Sequence, residues 1–340
     1  MKFCITGGGT GGHLSIAKTI AKEANKLGIE TIFIGSTSGQ DKDYFENSPL
    51  FKEKYFLETS GVVNKKGIKK VVSLFNIFKA FLKSRKLLKQ HKSDLVFSVG
   101  GFSAAPASFA SLWLGIPLAI HEQNAHTGKL NQILKKYTTV FFSSYDEDSP
   151  VKSYPVDTIF FQTARERKKI KTIIFLGGSQ GARYINDLAL EVAPVLHEKG
   201  IEIIHQCGKK DFEQIKKEYN KLTIDAQVYG FTDKLPQLMQ KADLAVSRSG
   251  ASTLWELTAN GLPALFIPYP YAANDHQYYN ALFLEKKDLI WIQKQTQDPK
   301  AKLFEILDTD LEERSKNLKT LLKKEGAKEM ILYIQKRILS

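Results

Sequence analysis

Residues 4–15 read CITGGGTGGHLS, with five glycines, a threonine and a histidine between two patterned segments. The apolar run KFCIT (2–6) precedes the glycines, and the helical pattern HLSIAKTIAKEANKLG (13–28) follows them. A strand that turns directly into a helix presents backbone N–H groups and the positive end of the helix dipole, an arrangement that favours phosphate. The stretch therefore predicts the first strand, loop and helix of an α/β domain, with an anion site at the turn.

The spacing of the glycines indicates which kind of anion the loop binds. Gly7, Gly9 and Gly12 satisfy G-x-G-x-x-G, but no acidic residue ends the next strand, TIFIG (31–35), where a nicotinamide site would hold its ribose. No G-K-[ST] follows the glycines, so a nucleoside-triphosphate P-loop is excluded. The loop favours a phosphate or sugar diphosphate. The alternative, a tight turn without a ligand, explains one or two glycines better than five.

The same order of strand, turn and helix continues along the rest of the chain. Apolar strand-like runs alternate with helical patterns in both halves, and IIFLGGSQGARYIN (173–186) repeats the order of strand, glycine turn and helix start. Such alternation is typical of parallel sheets covered by helices. Residues 145–171 contain two prolines and many charges, as a linker does. We predict two doubly wound α/β domains, residues 1–160 and 161–340, with ligands bound in a cleft between them.

The composition of the chain indicates the cellular compartment of the protein. The chain has 340 residues, of which 43% are hydrophobic and 25% charged, and its two cysteines lie far apart in sequence. This is typical of a globular protein in a reducing compartment, and we expect the cytoplasm. No signal-peptide pattern is present. The uncharged stretch 95–120 contains three glycines and two prolines, so we interpret it as buried strands and a helix, not as a membrane span.

Positive charge is concentrated in one segment. The net charge is +13, and residues 65–92 carry ten Lys or Arg and no acid among large apolar residues. This pattern suits an anionic membrane surface. Nucleic acid is not favoured, because no nucleic-acid motif accompanies the basic residues. The alternative is an ordinary helix whose core face is Leu74, Phe78, Phe81 and Leu82, and the sequence leaves both interpretations open.

Several further motifs follow the predicted strands. In chain order they are SVGGFSAAP (98–106), IHEQNAHTG (120–128), GGSQGARYIN (177–186), SRSGASTLWELTANGLPALFIPYP (247–270) and NDHQYYNA (274–281). Together with the first glycine loop they resemble the MurG family of bacterial glycosyltransferases, in glycosyltransferase family 28. The resemblance extends from residue 7 to residue 281 and is highly specific as a set.

This resemblance implies the GT-B fold, two Rossmann-like domains, with the last helix as a candidate to pack back on the first. It implies an inverting transfer of N-acetylglucosamine from UDP-N-acetylglucosamine to the muramic acid 4-hydroxyl of lipid I, which gives lipid II. The expected location is peripheral, on the cytoplasmic face of the cell membrane, and no cofactor is expected. The alternative is another UDP-sugar transferase or a UDP-N-acetylglucosamine 2-epimerase on the same fold. No His, Cys or Asp cluster has metal-ligand spacing, so we assign no metal.

The reaction requires a proton acceptor for the attacking hydroxyl and N–H donors for the leaving diphosphate. Histidine suits the first role near neutral pH, so His13 is the first candidate and His121 the second. Backbone groups of Thr10, Gly11, Gly12 and the turn 179–181 are candidates for the second role.

The remaining site residues are implied by the resemblance. Glu256 matches the acid that takes the ribose hydroxyls, Gln277 a donor-sugar contact and Thr232 the position of backbone contacts to uracil. Other donor-binding positions correspond to Ser179, Asn124 and Arg165, and the helix start beside the nucleotide to Ala251, Ser252, Thr253, Leu254, Trp255 and Glu256. The chain departs from the family pattern at Ile16, at Phe102 and in FQTAR (161–165), which makes Arg165 the weakest assignment.

Overall fold

The computed structural model describes residues 1–61, 67–178 and 182–339, and the side chains of residues 68–70 and 339 lie outside that description. The chain forms two compact units. Unit 1 contains residues 1–156 and 325–340, and unit 2 contains residues 157–324. Each unit is a parallel sheet with helices packed on it.

The elements of unit 1 alternate strictly through its first part. In chain order they are β1 (Lys2–Thr6), α1 (Gly11–Lys26), β2 (Glu30–Ser36), α2 (Asp41–Phe45), β3 (Glu53–Leu57), α3 (Ile68–His91), β4 (Leu95–Ser98), α4 (Ala105–Leu114), β5 (Leu118–Glu122), α5 (Lys129–Leu134) and β6 (Val140–Ser143).

Unit 2 repeats this pattern. Its elements are α6 (Thr158–Gln162), β7 (Thr172–Leu176), α7 (Arg183–Glu198), β8 (Glu202–Gln206), α8 (Phe212–Lys221), β9 (Ala226–Tyr229), α9 (Leu235–Lys241), β10 (Leu244–Ser247), α10 (Ala251–Asn260), β11 (Ala264–Phe266), α11 (His276–Glu285), β12 (Trp291–Ile292), α12 (Pro299–Ile306) and α13 (Glu312–Leu321). The chain then returns to unit 1 as α14 (Gly326–Leu339), which packs on α1.

Both sheets have the same topology. The strand order is β3-β2-β1-β4-β5-β6 in unit 1 and β12-β11-β10-β7-β8-β9 in unit 2, and every neighbouring pair is parallel. In each sheet the direction of winding reverses beside the first strand, β1 or β7. Ligands of doubly wound sheets bind at this switch point, outside the carboxyl ends of the strands. The predicted fold class is confirmed, and both glycine loops lie at switch points.

Buried apolar residues fix the strands of unit 1 between two helical layers. On one face Cys4, Ile32, Val96 and Ile120 join the buried parts of α3 and α4 in a single cluster. Stretch 95–120, free of charged residues, forms β4, α4 and β5 within this core. No helix in the described ranges is long and apolar enough to cross a membrane.

Helix α3 presents its largest apolar residues to solvent. Val71, Leu74, Phe75, Phe78 and Leu82 are 42–66% exposed and recur at the spacing of one helix face. The opposite face, with Ser73, Ala80, Ser84 and Leu88, is buried. The core-face interpretation is therefore wrong for Leu74, Phe78 and Leu82, because Ser73, Ala80 and Ser84 form the buried face beside them. Of the four residues, only Phe81 is half-buried against the core.

We call the exposed residues Val71, Leu74, Phe75, Phe78 and Leu82, with Trp113 of α4, the α3 apolar face. Trp113 is 70% exposed, and its ring meets that of Phe81 edge-on at 6.2 Å between centroids. Lys79 lies over the Phe75 ring with its Nζ 4.6 Å from the centroid. The face thus combines aromatic, aliphatic and cationic groups on one surface. Lys65 and Lys66, which the sequence includes in the basic segment, lie outside the described residues.

Candidate active site

The first glycine loop of unit 1 interlocks with the second, at Gly100 and Gly101. The Gly8 N–H donates to the Gly100 carbonyl at 3.1 Å. A Cβ on Gly7 would lie 2.4 Å from that carbonyl oxygen, and a Cβ on Gly101 would lie 2.2 Å from the Gly8 carbonyl oxygen. The loops after β1 and β4 therefore touch backbone to backbone. Close packing within the protein, in addition to any ligand, accounts for much of the glycine content.

A buried carboxylate lies beneath the loop. Asp41, at the start of α2, is fully buried; its Oδ1 accepts the Gly9 N–H, and its Oδ2 accepts the Ser36 N–H at 2.8 Å. A Cβ on Gly8 would come within 2.4 Å of this carboxylate. Burial raises the pKa of Asp41, and the hydrogen bonds to its carboxylate oppose that rise. Asp41 could not be predicted as a site residue from the sequence, because only the fold brings it to the loop.

His13 lies in the first turn of α1. The helix begins at Gly11, and its first intrahelical hydrogen bond runs from the Leu14 N–H to the Thr10 carbonyl. The Thr10 hydroxyl does not cap the helix; its Oγ1 lies 3.0 Å from His13 Nδ1. Gln123, after β5, places its amide nitrogen 3.0 Å from His13 Nε2. Thr10 is exposed and Gly11, Gly12 and His13 are half-buried, so the predicted donors and base share an accessible helix end.

His121 occupies a different environment. It points into the core of unit 1, is fully buried, and its ring meets Tyr154 edge-on at 5.1 Å. Neither ring nitrogen has a hydrogen-bond partner among the described residues. Burial, with a smaller contribution from the His13 charge, lowers the pKa of His121 to about 3. His121 is therefore neutral at pH 7 and a weak proton acceptor, and the geometry favours His13.

Glu122 organises the loop that carries Asn124. One carboxylate oxygen accepts the Asn124 N–H at 3.0 Å, and the other accepts the Gly128 N–H at 2.9 Å and the Asn131 amide at 2.8 Å. Asn124 itself is half-buried. The residues of the motif HEQN thus differ in what they do. His121 is buried, Glu122 holds the loop, Gln123 contacts His13, and Asn124 is half-buried. Of these four, only His121 and Asn124 are predicted as site residues from the sequence.

The glycine turn of unit 2 rests on a polar network. The Gly177 N–H donates to the Gln206 carbonyl at 2.8 Å, and the Gln206 amide donates to the Gly178 carbonyl at 3.0 Å. Deeper, Asn186 Oδ1 lies 3.0 Å from His205 Nε2, and Tyr219 Oη lies 3.1 Å from His205 Nδ1. Burial lowers the pKa of His205 to about 3. Ser179, with residues 180 and 181, lies outside the described residues.

The other predicted donor residues of unit 2 follow β10 and β11. At the start of α10, Ser252, Thr253 and Glu256 are half-buried, whereas Ala251, Leu254 and Trp255 are buried. The side chains of Leu254 and Trp255 belong to the core, so only their backbone is available to a ligand. Thr232, after β9, is half-buried and accepts the Lys234 N–H at 3.0 Å.

Gln277 is oriented by a neighbouring loop. Its Oε1 accepts the Tyr269 N–H at 3.0 Å, which directs the amide NH₂ group away from that loop. Arg248 braces the same loop by donating to the carbonyls of Ile267 and Pro268, both at 3.0 Å. Its guanidinium lies between the rings of Tyr184 and Tyr269, at 5.4 and 5.6 Å from their centroids. Arg248 is not among the site residues predicted from the sequence.

Arg165 lies elsewhere in unit 2. Its guanidinium donates to the Gln240, Lys241 and Ala242 carbonyls at the end of α9. It also pairs with the Asp243 carboxylate at 2.6 Å. Asp243 directly precedes β10, at the amino edge of the sheet, whereas Glu256 and Gln277 follow strands at the carboxyl edge. The structure does not bring Arg165 together with those residues.

No group of three or more His, Cys, Asp or Glu within the described part of the chain could hold a metal ion. Cys4 and Cys207 are buried free thiols.

Comparison with known proteins agrees with this architecture. The N-terminal and C-terminal domain models of glycosyltransferase family 28 match residues 3–143 and 172–334. A solved structure of MurG from Acinetobacter baumannii superposes with a TM-score of 0.77 at 27% identity, covering 98% of this chain and 99% of that one. A UDP-GlcNAc 2-epimerase from Neisseria meningitidis, with a TM-score of 0.64 at 14% identity over 99% of this chain and all of that one, shares the fold.

Two relatives found by sequence have higher identity to this chain than these solved structures. A protein of Sulfurimonas denitrificans is 55% identical over 97% of both chains, and one of Helicobacter pylori is 51% identical over 97% of this chain and 98% of its own. Both are named UDP-N-acetylglucosamine--N-acetylmuramyl-(pentapeptide) pyrophosphoryl-undecaprenol N-acetylglucosamine transferase. The chain therefore belongs to glycosyltransferase family 28 and, within it, to the MurG family.

Proposed function

We propose that this enzyme transfers N-acetylglucosamine from UDP-N-acetylglucosamine to the muramic acid 4-hydroxyl of lipid I, giving lipid II for peptidoglycan synthesis. The observation that carries the proposal is the 55% identity, over 97% of both chains, to a protein named for this transfer. The hydroxyl oxygen attacks the anomeric carbon as the bond from that carbon to the diphosphate oxygen breaks. UDP leaves with the electron pair, and the configuration inverts.

His13 is the proposed general base. It combines partial exposure with a ring held by Thr10 and Gln123, whereas His121 is buried and poorly basic. His13 accepts the proton of the attacking hydroxyl and becomes an imidazolium. A positioned base of this kind contributes about 10²–10⁴ in rate.

Charge that develops on the leaving diphosphate needs fixed N–H donors. Thr10, Gly11 and Gly12 lie at the positive end of α1, a helix of 16 residues, where such donors require no reorganisation during the reaction. We assign Ser179 and its turn the same role in unit 2.

Recognition of the donor is assigned to unit 2. Glu256 takes the ribose hydroxyls, the backbone near Thr232 contacts uracil, and Gln277 uses its NH₂ group to donate to a sugar oxygen, since its Oε1 is occupied by Tyr269. Residues 251–256 complete the donor positions assigned in unit 2, and Asn124 is the donor position assigned in unit 1. Arg165 supports this unit from its other edge, through the end of α9.

We further propose that the α3 apolar face rests on the cytoplasmic leaflet that holds lipid I. Exposed Phe75, Phe78 and Trp113 suit the interfacial region, where aromatic side chains partition. Lys79, Lys83 and Lys86 on the same helix are exposed, and each basic residue near an anionic surface contributes about 1 kcal/mol of attraction. The location proposed for the enzyme is therefore peripheral.

Transfer of labelled N-acetylglucosamine from UDP-N-acetylglucosamine to a lipid I analogue tests the activity. The expected product is labelled lipid II with stoichiometric UDP. Donor epimerisation without transfer would instead assign the chain to the epimerase alternative. His13→Ala should abolish most turnover while it leaves donor binding intact, and exposed His197→Ala is the matched control. Normal turnover of His13→Ala with an inactive His121→Ala would identify the other histidine as the base.

A further inference from the structure

A single peptide unit links Arg248 to Gln277. The Arg248 guanidinium donates from Nη1 to the Pro268 carbonyl at 3.0 Å. The N–H of the same peptide unit belongs to Tyr269 and donates to Gln277 Oε1 at 3.0 Å. A trans peptide unit is planar, and its C=O and N–H point in opposite directions, so the group that holds the carbonyl also fixes the direction of the N–H. Arg248 therefore reaches Gln277 through one rigid group.

The guanidinium is held at further points. Its Nη1 also donates to the Ile267 carbonyl at 3.0 Å, and its Nη2 donates to Gln295 Oε1 at 2.9 Å. The Gln295 carbonyl in turn accepts the Tyr184 hydroxyl at 3.3 Å. Arg248 is half-buried. The loops that follow β10, β11 and β12 thus meet at this one side chain, at the carboxyl edge of the sheet.

The charge of Arg248 also strengthens the hydrogen bonds along this path. A cation that donates to the Pro268 carbonyl polarises the peptide unit and makes the Tyr269 N–H a stronger donor, because hydrogen bonds in a chain polarise one another. The Gln277 carbonyl accepts from that N–H, and the same polarisation makes the Gln277 NH₂ group a stronger donor. The direction and the strength of a bond from this NH₂ group to a ligand therefore depend on Arg248.

We propose that Arg248 is a positioning residue for recognition of the donor sugar. It sets the Gln277 amide through the peptide unit between Pro268 and Tyr269, and the amide donates to an oxygen of N-acetylglucosamine. The inference rests on the proposed role of Gln277 as the sugar contact. Arginine suits this task because its planar fork holds two carbonyls in fixed directions, whereas a lysine ammonium is a point charge.

UDP-N-acetylglucosamine and UDP together test this role, because only the first ligand carries the sugar. Arg248→Met keeps an unbranched apolar stem but loses every donor. The Kd for UDP-N-acetylglucosamine should rise about 3- to 10-fold, the usual worth of one hydrogen bond between neutral groups, and the Kd for UDP should stay unchanged. Arg248→Lys keeps the charge without the fork, so it should shift the first Kd in the same direction, and it replaces Arg248→Met if that variant fails to fold.

Calorimetric titration of the full-length enzyme with each ligand measures both constants. Arg337→Met, at an exposed arginine of α14, is the matched control and should change neither. A double-mutant cycle with Gln277→Ala tests the path. In the Gln277→Ala background, Arg248→Met should cause no further loss of affinity for UDP-N-acetylglucosamine, because the group through which it acts is absent.

The possible results separate this inference from the role assigned to Gln277. Equal weakening of both ligands in the Arg248 variants overturns the inference, since it places Arg248 at the nucleotide or in the general stability of unit 2. Additive losses in the cycle overturn it as well. A weakened Gln277→Ala beside unaffected Arg248 variants overturns the role of Arg248 alone. A wild-type Kd for UDP-N-acetylglucosamine in Gln277→Ala overturns the sugar contact, and the role of Arg248 with it.

Discussion

The backbone N–H of Gly9 donates a hydrogen bond to Asp41, 32 residues later in the chain, and the Asp41 side chain is fully buried. The second carboxylate oxygen accepts the Ser36 N–H from the end of β2. One side chain thereby ties the first glycine loop to the neighbouring strand. Gly8 and Gly35 leave room for it, since a Cβ on either would come within 3 Å of the carboxylate.

Asp41→Asn tests this brace. An asparagine has one acceptor oxygen and one donor NH₂ group, so one of the two backbone N–H groups must lose its partner. An unsatisfied buried donor costs about 1–3 kcal/mol, and we expect the free energy of unfolding to fall by that amount. Transfer activity should fall as well, because the loop carries Thr10 and leads into α1. Denaturant unfolding and the transfer assay measure the two effects, and exposed Asp43→Asn on the same helix is the control. Wild-type values for both would show that the brace is dispensable.

Glu256→Ala tests the donor assignment in unit 2. If the carboxylate accepts the ribose hydroxyls, its loss should weaken binding of UDP-N-acetylglucosamine by about 1.5–3 kcal/mol, the usual worth of a hydrogen bond to a charged group. Calorimetric titration measures this, with Glu213→Ala, an exposed glutamate on α8, as the control. An unchanged Kd would mean that Glu256 is an ordinary helix residue.

Phe75→Ser combined with Phe78→Ser tests the α3 apolar face. Both rings are 56% exposed, so the free energy of unfolding should change by less than about 1 kcal/mol, whereas truncation of a buried Phe costs about 3–5 kcal/mol. Binding to vesicles that contain anionic lipid should weaken, as measured by co-sedimentation. Leu332→Ser, 46% exposed on α14, is the control.

The contribution of the basic residues to membrane binding can be tested separately from that of the aromatic residues. Lys79→Glu with Lys83→Glu should also release the enzyme from anionic vesicles, and so should added salt, because surface attraction decays over about 10 Å at 0.1 M. Undiminished vesicle binding by both the Phe and the Lys variants would move the membrane contact away from α3.

The two buried histidines predict loss of stability in acid. Burial lowers the pKa of His121 and of His205 to about 3, below the ordinary value near 6.5. Each therefore contributes stability that is present above pH 6.5 and is lost as the pH falls toward 3, because the unfolded chain binds the proton first. At pH 5 the loss should be about 2 kcal/mol for each histidine.

Denaturant unfolding between pH 7 and pH 5 measures this slope. His205→Asn should lower stability at pH 7, since it removes the contacts to Asn186 and Tyr219, but should flatten the dependence on pH. Exposed His197→Asn should leave the slope unchanged. An equally steep slope in His205→Asn would assign the acid sensitivity to other groups.

The sequence by itself determined the features that depend on local pattern. Alternating strand and helix periods specified two doubly wound sheets, and glycine turns after the first strand of each half marked the switch points. His13 could be selected because it follows the glycines at the start of a helix, a relation set within a dozen residues. Such features are readable because backbone geometry and side-chain periodicity act over short separations.

The tertiary structure decided what depends on distant partners. Asp41 and Gln123 reach the first loop only after the strands take their order, since they come from 32 and 110 residues away. The tertiary structure also separated His13 from His121 by burial and located Arg165 at the amino edge of its sheet. It left Leu74, Phe78 and Leu82 of α3 exposed, because Ser73, Ala80 and Ser84 fill the inner face beside them. Burial and long-range hydrogen bonds arise from packing between elements, and the local pattern of a single sequence does not contain them.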